Sequence, residues 1–279
     1  MASETFYWLG ADEDGDYQNA VGNNWVKASD GQVAGAGVYP GDGAGDTDSI
    51  VLPAWATSDL SANLDNSDSD GVVVNITVQS GFKYAVGTAR NPLYVKQHTS
   101  GTWTFDSADA GDMYLMSGTG TVAAVYVNQT NSGDDALHLA FVTNAAASVY
   151  VVSGNLTLDA TLFFTASAGV DTLLVFGQTN RPAPVVNLRA PVTTNLLAQA
   201  GTVYWESGTI TQATIQGGVV TAERSLAGPT LTDATYYAGS LLLRTAGADL
   251  TITNPISVKG DVWAAGNFNA NIGQAVSFA

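Results

Sequence analysis

Acidic side chains supply most of the chemistry this chain could perform, and they are unevenly placed. Asp12, Asp14 and Asp16 alternate, and Asn66, Asp68 and Asp70 alternate before Gly71. Alternating oxygen donors are what a loop needs to turn several ligands onto one Ca²⁺. The second run begins like a twelve-residue calcium loop, but Thr77 stands at its last ligand position, where a bidentate Glu is required. The first run has Tyr17 at the sixth position, where such a loop turns on Gly.

A third cluster, Asp42, Asp46 and Asp48, lies in Gly41-Asp42-Gly43-Ala44-Gly45-Asp46-Thr47-Asp48. Its composition is that of one calcium-binding nonapeptide, a unit that works only beside further copies, and one copy occurs here. Ca²⁺ at Asp42, Asp46 and Asp48 or at Asp68 and Asp70 is weighed against solvated acidic turns, and no other cofactor is expected.

Catalytic carboxylate pairs on an outer sheet face are the second chemistry to weigh. Asp106, Asp109 and Asp112 form one group and Asp134-Asp135 another, both in Gly- and Ser-rich loops that suit ordinary turns. The two histidines, His98 and His138, are far apart, and His138 alternates with Leu137 and Leu139, which turns it outward from a strand. The sequence carries no phosphate-binding loop and no nucleotide fingerprint. No enzyme is expected.

With no cysteine, the chain has neither disulfides nor thiolate metal sites. Net charge is −16, and 13 of the 25 acids fall in the first 70 residues, where Lys27 is the only base. Such a surface repels nucleic acid and anionic lipid. No run of apolar residues is long enough to span a membrane. The opening Met1-Ala2-Ser3-Glu4-Thr5 lacks a basic stretch and an apolar stretch, so no secretory signal is expected, and synthesis in a cytoplasm is.

The elements that position these groups are short strands. Val72-Val73-Val74-Asn75-Ile76-Thr77-Val78-Gln79 alternates with period two, predicting Val72, Val74, Ile76 and Val78 inward. The same pattern predicts Leu156, Leu158, Leu250 and Ile252 inward. Helical periodicity is absent, and Asn-Gly or Asp-Gly hairpin turns are rare. The expectation is an all-β chain, a parallel β-helix (β-solenoid) over residues 71–279, with residues 1–70 as an acidic, aromatic-bearing cap or attachment segment. A β-sandwich is the alternative.

Within residues 1–70, Tyr7-Trp8-Leu9-Gly10 is followed by Asn24-Trp25, then Tyr39-Pro40-Gly41, then Asp46-Thr47-Asp48-Ser49-Ile50-Val51. This order resembles the opening of certain bacteriophage virion proteins, and it is similar to repeat modules of bacterial surface adhesins. The resemblance covers roughly the first fifty residues. One departure is that Asp12 to Tyr17 replaces the usual Gly-rich approach to Asn-Trp.

The resemblance implies a virion structural protein, a capsid decoration or head-fibre component, made in the host cytoplasm. Its implied partners are a capsid or other virion protein and copies of itself, as a homotrimer. The rival readings are a surface adhesin or glycan-binding module and a polysaccharide-degrading tailspike. Expected partner contacts are Trp8, Trp25 and Trp55 with Asp12, Asp14 and Asp16, since large aromatics anchor interfaces and acidic loops steer basic surfaces.

Overall fold

The computed structural model describes residues 3–66, 71–97, 101–106, 111–129, 136–159, 168–226, 228–243, 245–247, 249–254 and 256–259. Among these the chain is all-β and winds as a parallel β-solenoid of about 8 turns. Asp68, Asp70, His98, Asp109 and Asp134-Asp135 lie outside the described residues.

Each coil contributes to two strand columns. The first column holds β1 (Thr5–Trp8), β3 (Thr47–Leu52), β5 (Val72–Val78), β7 (Gly101–Phe105), β9 (Val122–Asn128), β11 (Ala146–Ser153), β13 (Val170–Val175) and β15 (Val192–Ala198). The second holds β4 (Asp65–Asn66), β6 (Leu93–Val95), β8 (Met113–Ser117), β10 (Leu137–Phe141), β12 (Asn155–Leu158), β14 (Val185–Leu188) and β16 (Thr202–Trp205). The longer strands β17 (Thr209–Thr221) and β18 (Thr230–Leu242) run through both columns. Short β19 (Thr251–Ile252) and β20 (Ser257–Val258) follow on β18. Strand β2 (Trp25–Lys27) pairs antiparallel with β1.

Parallel in-register stacking places like residues above one another. Ile50, Ile76, Trp103, Val125, Val149, Leu173 and Leu196 form one inward stack of the first column. Leu93, Leu115, Leu139, Leu158, Leu188 and Trp205 form the facing stack. All are buried, and each aliphatic member contributes roughly 1.5–3 kcal/mol by leaving water. This parallel ladder rules out the β-sandwich, which pairs antiparallel.

Two inward assignments are corrected. Val73 is buried while Val72 and Val74 face outward and are half-buried. The cause is a bulge: Asp48 pairs with Val73 and Ser49 with Asn75, so Val74 is an extra residue that flips the alternation. Ile76, Val78, Leu156 and Leu158 are buried as expected. Leu250, just before β19, and Ile252, within it, are only partly buried and pack against the core.

The ladder also begins earlier than residue 71, because β1 and β3 already pair in parallel with the later coils. Residues 1–70 therefore supply first-coil strands as well as the cap. The Trp8 and Trp25 rings meet edge to face at 5.0 Å, and Tyr17 meets Trp25 at 5.5 Å. All three are fully buried, and their polar ends are satisfied. Trp8 Nε1–H donates to the Ser58 carbonyl, Trp25 Nε1–H to the Tyr17 carbonyl and Tyr17 O–H to the Pro40 carbonyl, at 3.0, 2.8 and 3.0 Å. Aromatic volume with satisfied donors is what closing the open end of a solenoid requires.

Candidate attachment site in the N-terminal cap

The alternating acids of the first loop organise the cap's backbone. Asp14 Oδ1 accepts the Asp16 N–H at 3.0 Å and an Asn24 Nδ2–H at 2.7 Å. Asp16 is buried; its Oδ1 accepts the Gln18 N–H and an Asn63 Nδ2–H, and its Oδ2 accepts the Ala20 N–H. Asp12 remains exposed and accepts an Asn23 Nδ2–H at 3.4 Å. Alternation thus serves side-chain-capped turns, with short polar groups replacing absent ladder partners.

Of the expected contact aromatics, Trp8 and Trp25 are walled off inside the cap and cannot touch a partner in the folded chain. Trp55 is 49% exposed and leans on Tyr7 with ring centroids 6.0 Å apart. Among the expected residues Trp55, Asp12 and Asp14 are therefore presented to solvent, although Asp14 also caps the turn, while Asp16 is buried in the fold.

Sequence reasoning missed Asn19. It is fully buried, its Nδ2 donates to the carbonyls of Ala34, Gly35 and Val38, and its Oδ1 accepts the Asn24 N–H. One side chain so ties two loops together. An Asn in a turn-rich stretch gives no hint of long reach, although its left-handed φ of 53° belongs to the residue type that tolerates it.

Asp42, Asp46 and Asp48 do converge, with one carboxylate oxygen of each within 4.8 Å of the others. Asp48 is buried; Oδ1 accepts the Glu4 N–H at 3.0 Å and Oδ2 the Gly41 N–H at 2.8 Å. Burial pushes its carboxyl above the ordinary range, repulsion from Asp46 and Asp42 adds to this, and the two N–H bonds offset only part. Asp42 is raised by burial and by Asp46. Carboxylates so spaced are the donor type Ca²⁺ takes, but the N–H bonds to Asp48 already serve a structural end.

The remaining candidates are dispersed. Asp106 accepts an Asn128 Nδ2–H at 3.0 Å, and Asp112 accepts the Ala136 N–H at 3.0 Å, so each ties its coil to the next. His138 faces outward from β10 and stacks on Tyr114 at 4.3 Å with rings 11° apart. Burial pushes the His138 imidazole down, and Asp112 and Asp159 only partly counter that. Tyr126 and Tyr150 stack face to face at 4.9 Å in successive coils, which uses ring faces a sugar would need. Arg189 bridges Glu206 at 2.7 Å and Asp159 at 3.7 Å, and Arg224 lies 3.5 Å over the Tyr204 ring.

No protein-family model, curated protein or solved structure matches this chain.

Proposed function

We propose that the chain is a non-enzymatic structural component of a bacteriophage particle, a capsid decoration or head-fibre protein. It is made in the host cytoplasm and resides in the virion. It binds a capsid or other virion protein, self-associates as a homotrimer, and contacts neither nucleic acid nor membrane.

The observation that carries this reading is the pairing of a stiff solenoid with a sealed, acid-rich first end that presents Trp55. Side chains lock coil to coil, as in Asn75 Nδ2–H to Ser49 Oγ, Asn128 Nδ2–H to Asp106 Oδ1, and the buried Ser153 Oγ–H to the Gln129 carbonyl at 2.6 Å. Such ties suit a scaffold that must keep its shape. The resemblance of the first fifty residues to virion proteins points the same way.

The test is co-sedimentation of the purified full chain with particles assembled without it, together with its native mass. Saturable binding at fixed stoichiometry by a trimeric species is the expected result. A monomer that ignores particles but binds immobilised host glycans would replace this reading with the adhesin. Release of reducing ends from host polysaccharide would replace it with the tailspike.

A further inference from the structure

A cleft of about 390 Å³ opens beside the cap, lined by Glu13, Thr57, Ser58, Asp59, Ser61 and Tyr84. Its size falls within the range of side-chain and small-molecule sites. The walls are held together by the backbone. The Gly15 carbonyl accepts the N–H groups of Ser61 and Ala62 at 3.0 and 2.9 Å, and the Leu60 N–H donates to the Ala85 carbonyl at 3.0 Å. Gly15 has φ of 68°, and a Cβ there would sit 2.2 Å from Ser61 Oγ, so the two walls touch with no room for a side chain. Glu13 also holds a left-handed φ, 56°, unusual for Glu and a conformation stored where the surroundings fix it.

Much of the lining presents acceptors. Thr57 Oγ1–H donates to the Leu9 and Gly10 carbonyls and Ser58 Oγ–H to the Asp59 carbonyl, so both hydroxyl hydrogens are committed to the chain. Toward the cleft they offer lone pairs, beside the carboxylates of Glu13 and Asp59. Asp59 is fixed in place because its Oδ1 accepts the Ala85 N–H at 2.9 Å. The Tyr84 ring rests edgewise on Phe82 at 5.9 Å and carries the Lys83 ammonium 5.5 Å from its centroid. That ring face is therefore occupied by the chain's own cation, and the carboxylates carry the recognition.

We infer that this cleft receives an arginine or lysine side chain from the protein partner. The inference rests on the attachment reading and names the partner's chemistry. A guanidinium or ammonium is donor-only, and it matches a cleft that offers two carboxylates and hydroxyl lone pairs. A phosphate or an acidic glycan would meet Glu13 and Asp59 as like charges. The chain's charge of −16 draws the same class of partner from a distance.

The probe is a tetra-arginine peptide titrated calorimetrically into the full chain at low and at physiological salt. The double variant E13Q/D59N keeps an acceptor oxygen for the Ala85 N–H, and E13Q alone alters a side chain that is exposed. Binding to E13Q/D59N should weaken at least about tenfold, and E13Q alone should weaken it measurably. A charge-matched variant on the solenoid, D171N/E223Q, should stay within about twofold of the parent. Equal weakening in both double variants, or no binding by the parent at low salt, overturns the site. So does maltotetraose binding that E13Q/D59N abolishes. Co-sedimentation with particles separates the two readings. If E13Q/D59N loses the peptide yet still attaches, the partner assignment falls while the attachment reading stands.

Discussion

Trp103 Nε1–H donates to Gln97 Oε1 at 2.8 Å, and the same Gln97 amide donates through Nε2 to the Val74 carbonyl, also at 2.8 Å. Val74 is the extra residue of the β5 bulge, and Trp103 is the bulkiest member of the first inward stack. One buried amide therefore satisfies both the irregular backbone and the indole. Gln97→Leu keeps the volume but orphans two polar groups. It should cost about 1–3 kcal/mol in urea denaturation, and a change below the error of the measurement would remove Gln97 from this role.

Gly101 tests the same junction from the other side. A Cβ on it would fall 1.8 Å from the Val74 carbonyl oxygen and 1.9 Å from Gln97 Nε2. Neither can yield without breaking the bond between them. Gly101→Ala should destabilise by about 1–3 kcal/mol, although Ala ordinarily suits a strand better than Gly. A neutral or stabilising result would show that the coils separate freely there.

The bulge itself is open to test by paired substitutions. Val73 is buried and Val74 half-exposed, so Val73→Thr should be clearly destabilising and Val74→Thr should stay within about 0.5 kcal/mol. Ile76→Ala and Leu158→Ala, on stacks of both columns, should each cost about 2–5 kcal/mol. A larger effect at 74 than at 73 would mean the alternation is not broken.

Alternation made the strands legible, since Ile76, Val78, Leu156 and Leu158 need only a solvent side and a core side. Their stacking was less so, because coil length varies. Leu196 and Ala213 are stacked partners 17 positions apart, whereas Ile76 and Trp103 are 27 apart, so no fixed period marks the sequence. The Val74 bulge left no trace, because Val suits either face. The cap was legible as aromatics in an acidic stretch, but a buried Trp and an exposed one look alike in sequence. Trp8 and Trp55 were separated only by the geometry of β1 and β2 around Trp25. Glu13 was passed over for its alternating neighbours, which hold the loop while Glu13 lines the cleft.

Stability should change with pH in two opposite senses. The native pKa of His138 lies below its ordinary 6.5, so below that pH the unfolded chain binds a proton the native state resists. Stability is then lost as pH falls through the interval beneath 6.5. Asp48 and Asp42 have native pKa values above the ordinary 3.8, so in the interval above that value the native state keeps protons the unfolded chain has released. These two stabilise progressively as pH falls through that interval. Urea midpoints from pH 8 to 4 should expose the first slope, and His138→Gln should flatten it. An unchanged slope in His138→Gln would assign it to other groups.

The last expectation separates the two kinds of cap tryptophan. Trp8 is fully buried against Trp25 and donates to the Ser58 carbonyl, so Trp8→Ala should cost about 3–5 kcal/mol and loosen the first coil. Any loss of particle binding in that variant is a consequence of unfolding. Trp55 is 49% exposed, and its contact with Tyr7 is a tilted one at 6.0 Å. Trp55→Ala should cost far less stability than Trp8→Ala, because about half of its surface already lies in solvent. If Trp55 anchors the partner, removing it costs at least about 2 kcal/mol of binding, roughly a thirtyfold weaker association with undecorated particles. Cutting away residues 1–50 cannot replace this experiment, since it removes β1 and part of β3 from the ladder and uncaps the solenoid. A Trp55→Ala protein that stays folded and binds particles with unchanged affinity would remove Trp55 from the partner contact.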